Sequence, residues 1–110
     1  MNRLPSLTAA LCAIFLLPLS FAQGEKPDAA AGKKVFEARC VDCHNADTKE
    51  EKVGPGLKGV KDGTLPSGRK STHDNILGVV DEGSGDEMPA FGDLLSEKEK
   101  EDVIAYVLTL

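Results

Sequence analysis

The chain has 110 residues and a formal charge of −5, from 13 basic and 18 acidic side chains. This length allows one domain at most, and the acidic balance weighs against nucleic acid as a partner. Arg3, the apolar stretch from Leu7 to Leu19 and the tripeptide Ser20-Phe21-Ala22 are typical of a secretory signal and its cleavage site. We therefore predict a signal peptide over residues 1–22 and a single domain over residues 23–110.

The predicted signal contains one basic and no acidic residue, so its loss would take the formal charge from −5 to −6. Such a charge disfavours anionic membrane surfaces and favours basic or neutral partners, although it also simply keeps a small protein in solution. The apolar stretch is shorter than the ~20 residues that span a bilayer, so an uncleaved membrane anchor is the second choice. Cys12 lies within this stretch, and we assign it no function.

The supply of bulky core side chains is small, with no Trp, one Tyr and four Phe in the whole sequence. Domains of this size often add disulfides, a metal or another staple to a thin hydrophobic core. We therefore expect something other than side chains to fill the interior.

The first predicted element is a helix that Asp28 caps and that runs from Ala29 toward Cys40. Its poor helix former, Gly32, lies four residues before Phe36, so both residues face the same side. A glycine inside a helix costs about 1 kcal/mol relative to alanine and usually has a packing reason. We therefore expect another element to approach the helix closely at Gly32.

Residues 45–71 show neither helical nor strand periodicity and are interrupted by repeated Gly and Pro. An irregular segment of this length is uncommon in a compact domain. Its apolar residues Leu57, Val60 and Leu65 are irregularly spaced, which favours a segment wrapped around a non-protein group over a disordered one.

Two more helices are predicted after this segment. The first begins after a cap at Ser71 or Thr72 and ends at Gly83, and the second begins with a capping box formed by Ser96 and Glu99. Their apolar faces consist of Ile76, Leu77 and Val80 in the first helix and of Val103, Ile104, Val107 and Leu108 in the second.

Two charged runs are expected to face solvent. The alternating charges from Glu97 to Asp102 predict a solvated helix face, and the run from Asp47 to Lys52 predicts a solvated loop.

The segment Cys40-Val41-Asp42-Cys43-His44 has the C-x-x-C-H pattern of covalent c-type haem attachment. Residues i and i+3 lie on one face of a helical turn, so the two thiols can reach two vinyl groups on one edge of a porphyrin. His44 can then turn its imidazole under the iron. The predicted cofactor is one haem c, bound covalently through Cys40 and Cys43, with His44 as one axial ligand.

Three other chemistries can use the same residues. A thioredoxin-like redox pair would need a βαβ pattern around it, which the sequence does not provide. A zinc site built from Cys40, Cys43, His44 and His73 would ask adjacent residues to bind one ion. A disulfide between cysteines three residues apart closes almost no loop and so stabilises little.

Met88 is the candidate for the second axial ligand, because it is the only methionine after the predicted signal and lies in a loop beside Pro89. A lone methionine ordinarily fills a core, but a thioether opposite a histidine is a known haem arrangement that raises the reduction potential. His73 is the alternative ligand, although an exposed place in the first turn of its helix suits it better.

These residues make the chain resemble the small bacterial class I cytochromes c that carry one haem. The resemblance covers Gly32 to the C-terminus and is most specific at the C-x-x-C-H segment and at Met88-Pro89-Ala90-Phe91. It implies an all-α fold whose N- and C-terminal helices cross near a glycine and an aromatic pair. The matching residues are Gly32, Phe36 and Tyr106.

The resemblance also implies residues that support the haem. Gly54-Pro55-Gly56-Leu57 resembles the family loop whose proline carbonyl accepts the N–H of the axial histidine, so Pro55 and Leu57 are assigned to the cofactor site. Many relatives place a Trp or Tyr near a haem propionate in the loop before the middle helix, whereas this chain has no aromatic residue at positions 65–70. Arg69 or Lys70 is the candidate substitute.

The resulting hypothesis is a soluble, exported, monomeric electron carrier without enzyme activity, located in the periplasm or another extracytoplasmic space. With His44 and Met88 both on the iron, no coordination position is open, which favours outer-sphere electron transfer between redox proteins. The alternatives are a cytochrome subunit of a larger oxidoreductase, or a peroxidase or gas sensor if Met88 leaves the iron. The residues expected to keep water from the haem are Leu57, Val60, Ile76, Leu77, Val80 and Phe91.

Overall fold

The computed structural model describes residues 25–85 and 87–110 and contains three α-helices and one short 3-10 turn. In chain order these are α1 (Ala29–Arg39), the 3-10 turn (Val60–Asp62), α2 (His73–Glu82) and α3 (Glu97–Val107). The described ranges contain two isolated β-bridges and no strand. The predicted all-α fold is confirmed, and the signal predicted over residues 1–22 lies outside the described residues.

Side chains at the helix starts explain where the helices begin. Asp28 accepts a hydrogen bond from the N–H of Ala30 at 2.9 Å, and Thr72 accepts one from the N–H three residues further on. Ser96 and Glu99 form the capping box that opens α3. These side chains satisfy N–H groups that the first helical turn leaves without partners, so all three predicted helix starts are confirmed, with Thr72 as the cap of α2.

α1 crosses α3 at Gly32, where a Cβ atom would collide with the carbonyl group of Asp102 and lie 2.9 Å from the backbone nitrogen of Val103. One turn further along α1, the rings of Phe36 and Tyr106 meet edge to face with their centroids 5.4 Å apart. The close approach predicted at Gly32 and the aromatic pair beside it are both confirmed. The buried core next to this crossing consists of Phe36, Ile76, Val103 and Ile104.

The charged run at the start of α3 is not uniformly solvated. Lys100 and Asp102 are only 5 % and 4 % exposed. The Nζ atom of Lys100 lies 2.9 Å from a carboxylate oxygen of Asp81 in α2, and Lys98 donates to Asp102 at 2.8 Å. The prediction of a solvated face is therefore wrong for Lys100 and Asp102, because charged groups can be buried when they are paired.

Asp102 also joins the start of α1 to α3, since its Oδ1 atom accepts the backbone N–H of Asp28 at 2.8 Å. Burial opposes ionisation of this carboxyl, but the hydrogen bonds from Lys98 and from the Asp28 N–H outweigh it and lower the pKa of Asp102. The carboxylate thus stays charged and holds the crossing of the two helices from one side.

Candidate haem site

The helices and the irregular segments between them enclose a cavity of about 350 Å³. Cys40, Cys43, His44 and Met88 all line it, although Met88 comes from a different part of the chain. The charged residues of its lining are Arg39, Asp42 and Glu87, which are exposed and therefore lie at its mouth. Of the residues expected to exclude water, Leu57, Val60, Ile76, Val80 and Phe91 line the cavity, whereas Leu77 packs on the core.

The C-x-x-C-H segment adds one more turn to the end of α1. The carbonyl of Cys40 accepts the N–H groups of Cys43 and His44 at 3.1 and 2.9 Å, which is the hydrogen bonding of a helical turn. The two cysteines are not joined by a disulfide and both line the cavity, as expected for residues three apart on one helical face. This local geometry suits attachment of one group at two points.

Burial, together with the neighbouring sulfur of Cys43, raises the pKa of the Cys40 thiol to about 11. Cysteines that act in thiol–disulfide exchange have pKa values lowered to about 3.5–7.5, because the thiolate is the reactive form. Cys40 without a haem is therefore a protonated thiol at neutral pH, which weighs against a thioredoxin-like redox pair.

The loop at residues 54–57 holds the imidazole of His44. The Nδ1 atom lies 2.8 Å from the carbonyl oxygen of Pro55. A carbonyl only accepts, so Nδ1 carries the proton and Nε2 keeps a lone pair for a metal. A Cβ atom on Gly54 would lie 2.6 Å from Cε1 of His44, so the backbone passes directly against the ring.

The loop that carries Met88 folds back onto the end of α2. Ser84 and Met88 exchange N–H···O=C hydrogen bonds of 3.0 and 3.2 Å, which closes the loop at its base. Phe91 donates its N–H to the carbonyl of Val80 at 2.8 Å, and so satisfies a carbonyl that the end of a helix leaves without a partner. Gly83 has a φ of 74°, and a Cβ atom there would lie 2.9 Å from the nitrogen of Ala90. Met88 is thus placed by the end of α2.

These side chains fit a covalently attached haem. An imidazole with a free Nε2 and a thioether suit the iron of a c-type haem, and two thiols on one helical face suit its covalent attachment. The cavity between these groups has a mainly apolar lining. The role of Cys40, Cys43, His44, Met88, Pro55 and Leu57 in holding the haem stays a prediction, and Pro55 and Leu57 both line the cavity.

A model of the family described as cytochrome c oxidase, cbb3-type, subunit III matches residues 27–107 of the chain. The chain belongs to the cytochrome c family. This cytochrome is 38% identical to cytochrome c6 of Rippkaea orientalis in an alignment that covers 98% of this chain and 93% of the relative. It is 45% identical to cytochrome c type-1 of Ascaris suum over 56 residues, which cover 48% of this chain and 50% of that relative.

The fold of this cytochrome is also found in a solved structure of cytochrome c6 from the diatom Phaeodactylum tricornutum. The TM-score is 0.59 at 36% sequence identity, and the match covers 74% of this chain and 92% of that structure. The protein is therefore a small mono-haem class I cytochrome c with a covalently attached haem c, and its function is electron transfer with redox partners. Within residues 25–85 and 87–110, the helices are too short or too polar to cross a membrane.

His73 does not reach the haem site of this cytochrome. It is the first residue of α2 and does not line the cavity, and its two ring nitrogens lie 2.8 Å from Asp74 and 2.7 Å from Glu101. In the described part of the chain, no group of three or more His, Cys, Asp or Glu side chains could hold a metal ion. The alternative roles of His73 as an axial ligand and as a zinc ligand are both contradicted.

Arg69 and Lys70, the candidates for the haem propionate, are exposed and do not line the cavity. Ser67 of the same loop does line it, and Arg39 is a cationic residue at its mouth that the sequence reasoning missed. Its position directly before Cys40 was the available signal, because a residue next to an attachment cysteine cannot lie far from the haem.

Proposed function

We propose that this cytochrome is exported and carries one electron at a time between two redox proteins. In this proposal, Cys40 and Cys43 attach the haem, and His44 and Met88 bind the iron. The single observation that supports it is the convergence of these four side chains on one mainly apolar cavity.

The chain's own groups set the properties of the centre. When bound, the haem supplies an iron that accepts and releases one electron. The Pro55 carbonyl holds the Nδ1 proton of His44 at 2.8 Å, which fixes the tautomer and increases the basicity of the ligating nitrogen. The Met88 thioether is a weak donor and raises the reduction potential. The apolar wall keeps water away and so limits reorganisation of solvent when the charge changes.

The proposal includes the absence of enzyme activity. With the imidazole and the thioether both on the iron, no position is open for a substrate, a peroxide or a gas. The backbone on both sides of Met88 is held in place, because Met88 pairs with Ser84 and the N–H groups of Phe91 and Gly92 donate to carbonyls of α2. The loop thus disfavours the peroxidase and gas-sensor alternatives, and the near end-to-end match with a cytochrome c6 favours a separate carrier over a subunit of a larger oxidoreductase.

The partners follow from charge. The chain carries 18 acidic and 13 basic side chains, so its long-range field attracts a basic docking face and tolerates a neutral one. Association with such a partner should slow as salt screens the charges beyond about 10 Å at 0.1 M. Stopped-flow electron transfer at several ionic strengths measures this, and a rate that rises with salt contradicts the predicted sign of the partner's charge.

The central experiment is a measurement on protein produced with its full sequence in a host that matures c-type cytochromes. Intact mass is expected to show loss of residues 1–22 and gain of one haem, which tests export and attachment together. The ferric protein is expected to show a weak absorption band near ~700 nm, the general mark of sulfur ligation in such haems. A colourless exported protein overturns the proposal, and a high-spin ferric spectrum overturns the role of Met88.

A further inference from the structure

A four-residue segment, Lys52 to Pro55, runs along the C-x-x-C-H turn, and we call it the brace. The ammonium group of Lys52 donates to the carbonyl of Val41 at 3.0 Å, and the N–H of Gly54 donates to the carbonyl of Cys43 at 2.8 Å. Within the brace, the N–H of Lys52 donates to the carbonyl of Gly54 at 2.9 Å, so the segment is itself a closed turn. Two of its residues therefore hold two carbonyls of the turn that carries the cysteines.

The other end of the brace holds the histidine. His44 donates from Nδ1 to the carbonyl of Pro55 at 2.8 Å, which constrains one edge of the ring. At Gly54, a Cβ atom would lie 2.6 Å from Cε1, 3.0 Å from Nδ1 and 3.1 Å from Nε2 of the same ring. The backbone of Gly54 therefore packs directly against the imidazole ring, and any side chain at this position would displace the ring.

The bond from Lys52 explains how an exposed loop can act as a rigid support. The carbonyl of Val41 lies just past the end of α1, where helix carbonyls have no partner within the helix, and a lysine side chain is a suitable cap. Lys52 belongs to the run at residues 47–52, all of which are exposed, and its ammonium group makes this hydrogen bond at the surface. Its contact ties the brace to the helix that carries both cysteines, so Gly54 keeps a fixed distance from the ring.

We infer that Lys52 and Gly54 are positioning residues that fix the plane of the His44 imidazole, Gly54 by leaving room for the ring and Lys52 by pinning the brace to the end of α1. The inference rests on the proposed role of His44 as an axial ligand. The groups around a metal-bound histidine orient its ring and tune its strength as a donor, so a displaced ring changes the electronic structure of the iron.

Gly54→Ala tests the packing of the Gly54 backbone against the His44 ring, with Gly63→Ala as the matched control. Gly63 lies in the same irregular segment at a negative φ of −124°, and a Cβ atom there meets its nearest neighbour at an ordinary 3.7 Å. The measurement is the proton NMR spectrum of the ferric holoprotein, in which the spread of the haem methyl resonances depends on the orientation of the axial ligands. Gly54→Ala should change this spread and shift the reduction potential, and Gly63→Ala should leave both as in the wild type.

Lys52→Met tests the hydrogen bond between the Lys52 side chain and the carbonyl of Val41. The control, Lys49→Met, removes the same charge from an exposed position in the same loop. Hydrogen exchange of the Gly54 amide should accelerate by about tenfold or more in Lys52→Met, because the brace opens more often, and by less than about twofold in Lys49→Met. These two variants decide the matter if Gly54→Ala does not mature.

Each result bears on one of the two proposals. Equal exchange rates in Lys52→Met and the wild type, or an unchanged methyl spread in Gly54→Ala, overturn the positioning role of that residue. A wild-type ferric protein that is not low-spin, or that lacks a nitrogen ligand, overturns the assignment of His44 itself. The failure of the inference is thus visible in the variants, and the failure of the proposed function is visible in the unchanged protein.

Discussion

The crossing of α1 and α3 gives the sharpest prediction, because it depends on one missing side chain. In Gly32→Ala the new methyl group would collide with the carbonyl of Asp102 and lie 2.9 Å from the nitrogen of Val103. Both neighbours are backbone atoms of a helix and cannot turn away, so the helices must separate by about 1 Å. This separation would also weaken the edge-to-face pair of Phe36 and Tyr106.

The expected loss of stability in Gly32→Ala is the sum of three contributions. Overpacking costs about 1–3 kcal/mol, the aromatic pair contributes about 0.5–1.5 kcal/mol, and the better helix propensity of alanine returns about 1 kcal/mol. We therefore expect the free energy of unfolding to fall by about 0.5–3.5 kcal/mol. For a domain of this size, each kcal/mol lowers Tm by about 4–8 °C, so Tm should fall by about 2–28 °C.

The assay is denaturant unfolding of the holoprotein followed by far-ultraviolet circular dichroism. Gly78→Ala is the matched control, because it makes the same change inside α2 where a Cβ atom meets nothing within 4 Å. The free energy of unfolding of this control should rise by about 0.5–1 kcal/mol, since glycine stabilises a helix interior less than alanine does. If Gly32→Ala is as stable as Gly78→Ala, the packing argument for the crossing is refuted.

Three further predictions concern the site and α2. Met88→Ala should open the sixth coordination position, remove the band near ~700 nm, lower the reduction potential and admit exogenous ligands; a variant unchanged in all of these excludes Met88 as a ligand. Cys40→Ala should reduce the yield of covalently attached haem, measured by intact mass, because only one thiol remains for attachment. The side chains of Asp74 and Glu101 hydrogen-bond His73 and raise its pKa, so its contribution to stability is full below the unfolded pKa of ~6.5 and is lost as pH rises through the higher folded value. Unfolding of the wild type and of His73→Gln should therefore converge as pH rises from about 6, and a difference that grows with pH contradicts this sign.

Local rules were enough to predict the helices and the crossing. The helix caps are Asp28, Thr72 and the Ser96 capping box. They bind N–H groups within three residues in the chain, so the helix starts can be predicted from the sequence. Gly32 was identifiable because a glycine in a helix is costly without a close neighbour. The all-α fold was implied by the resemblance rather than by the periodicity, since much of the chain between the helices has none.

Contacts between distant segments were the part that the sequence could not supply. Lys100 is buried because Asp81 of another helix lies beside it, and no pattern within α3 indicates this pairing. The same limit explains why neither Arg69 nor Lys70, the candidates for a propionate, lines the cavity, and why the sequence does not indicate the contact between Lys52 and Val41. Charge alone says that a side chain prefers water, and only the fold says which charge has a partner nearby.

The closed base of the loop that holds Met88 has a consequence for how the centre could be tuned. Because the backbone of Met88 is paired with Ser84 and the N–H of Phe91 donates to the carbonyl of Val80, the residue that carries the sulfur is held against the end of α2 from both sides. A change of one residue in the length of the segment between Met88 and Phe91 would therefore move the sulfur relative to His44 while leaving both predicted ligands in the chain. The reduction potential of the proposed centre can thus be tuned through the backbone beside Met88, with both predicted ligands unchanged.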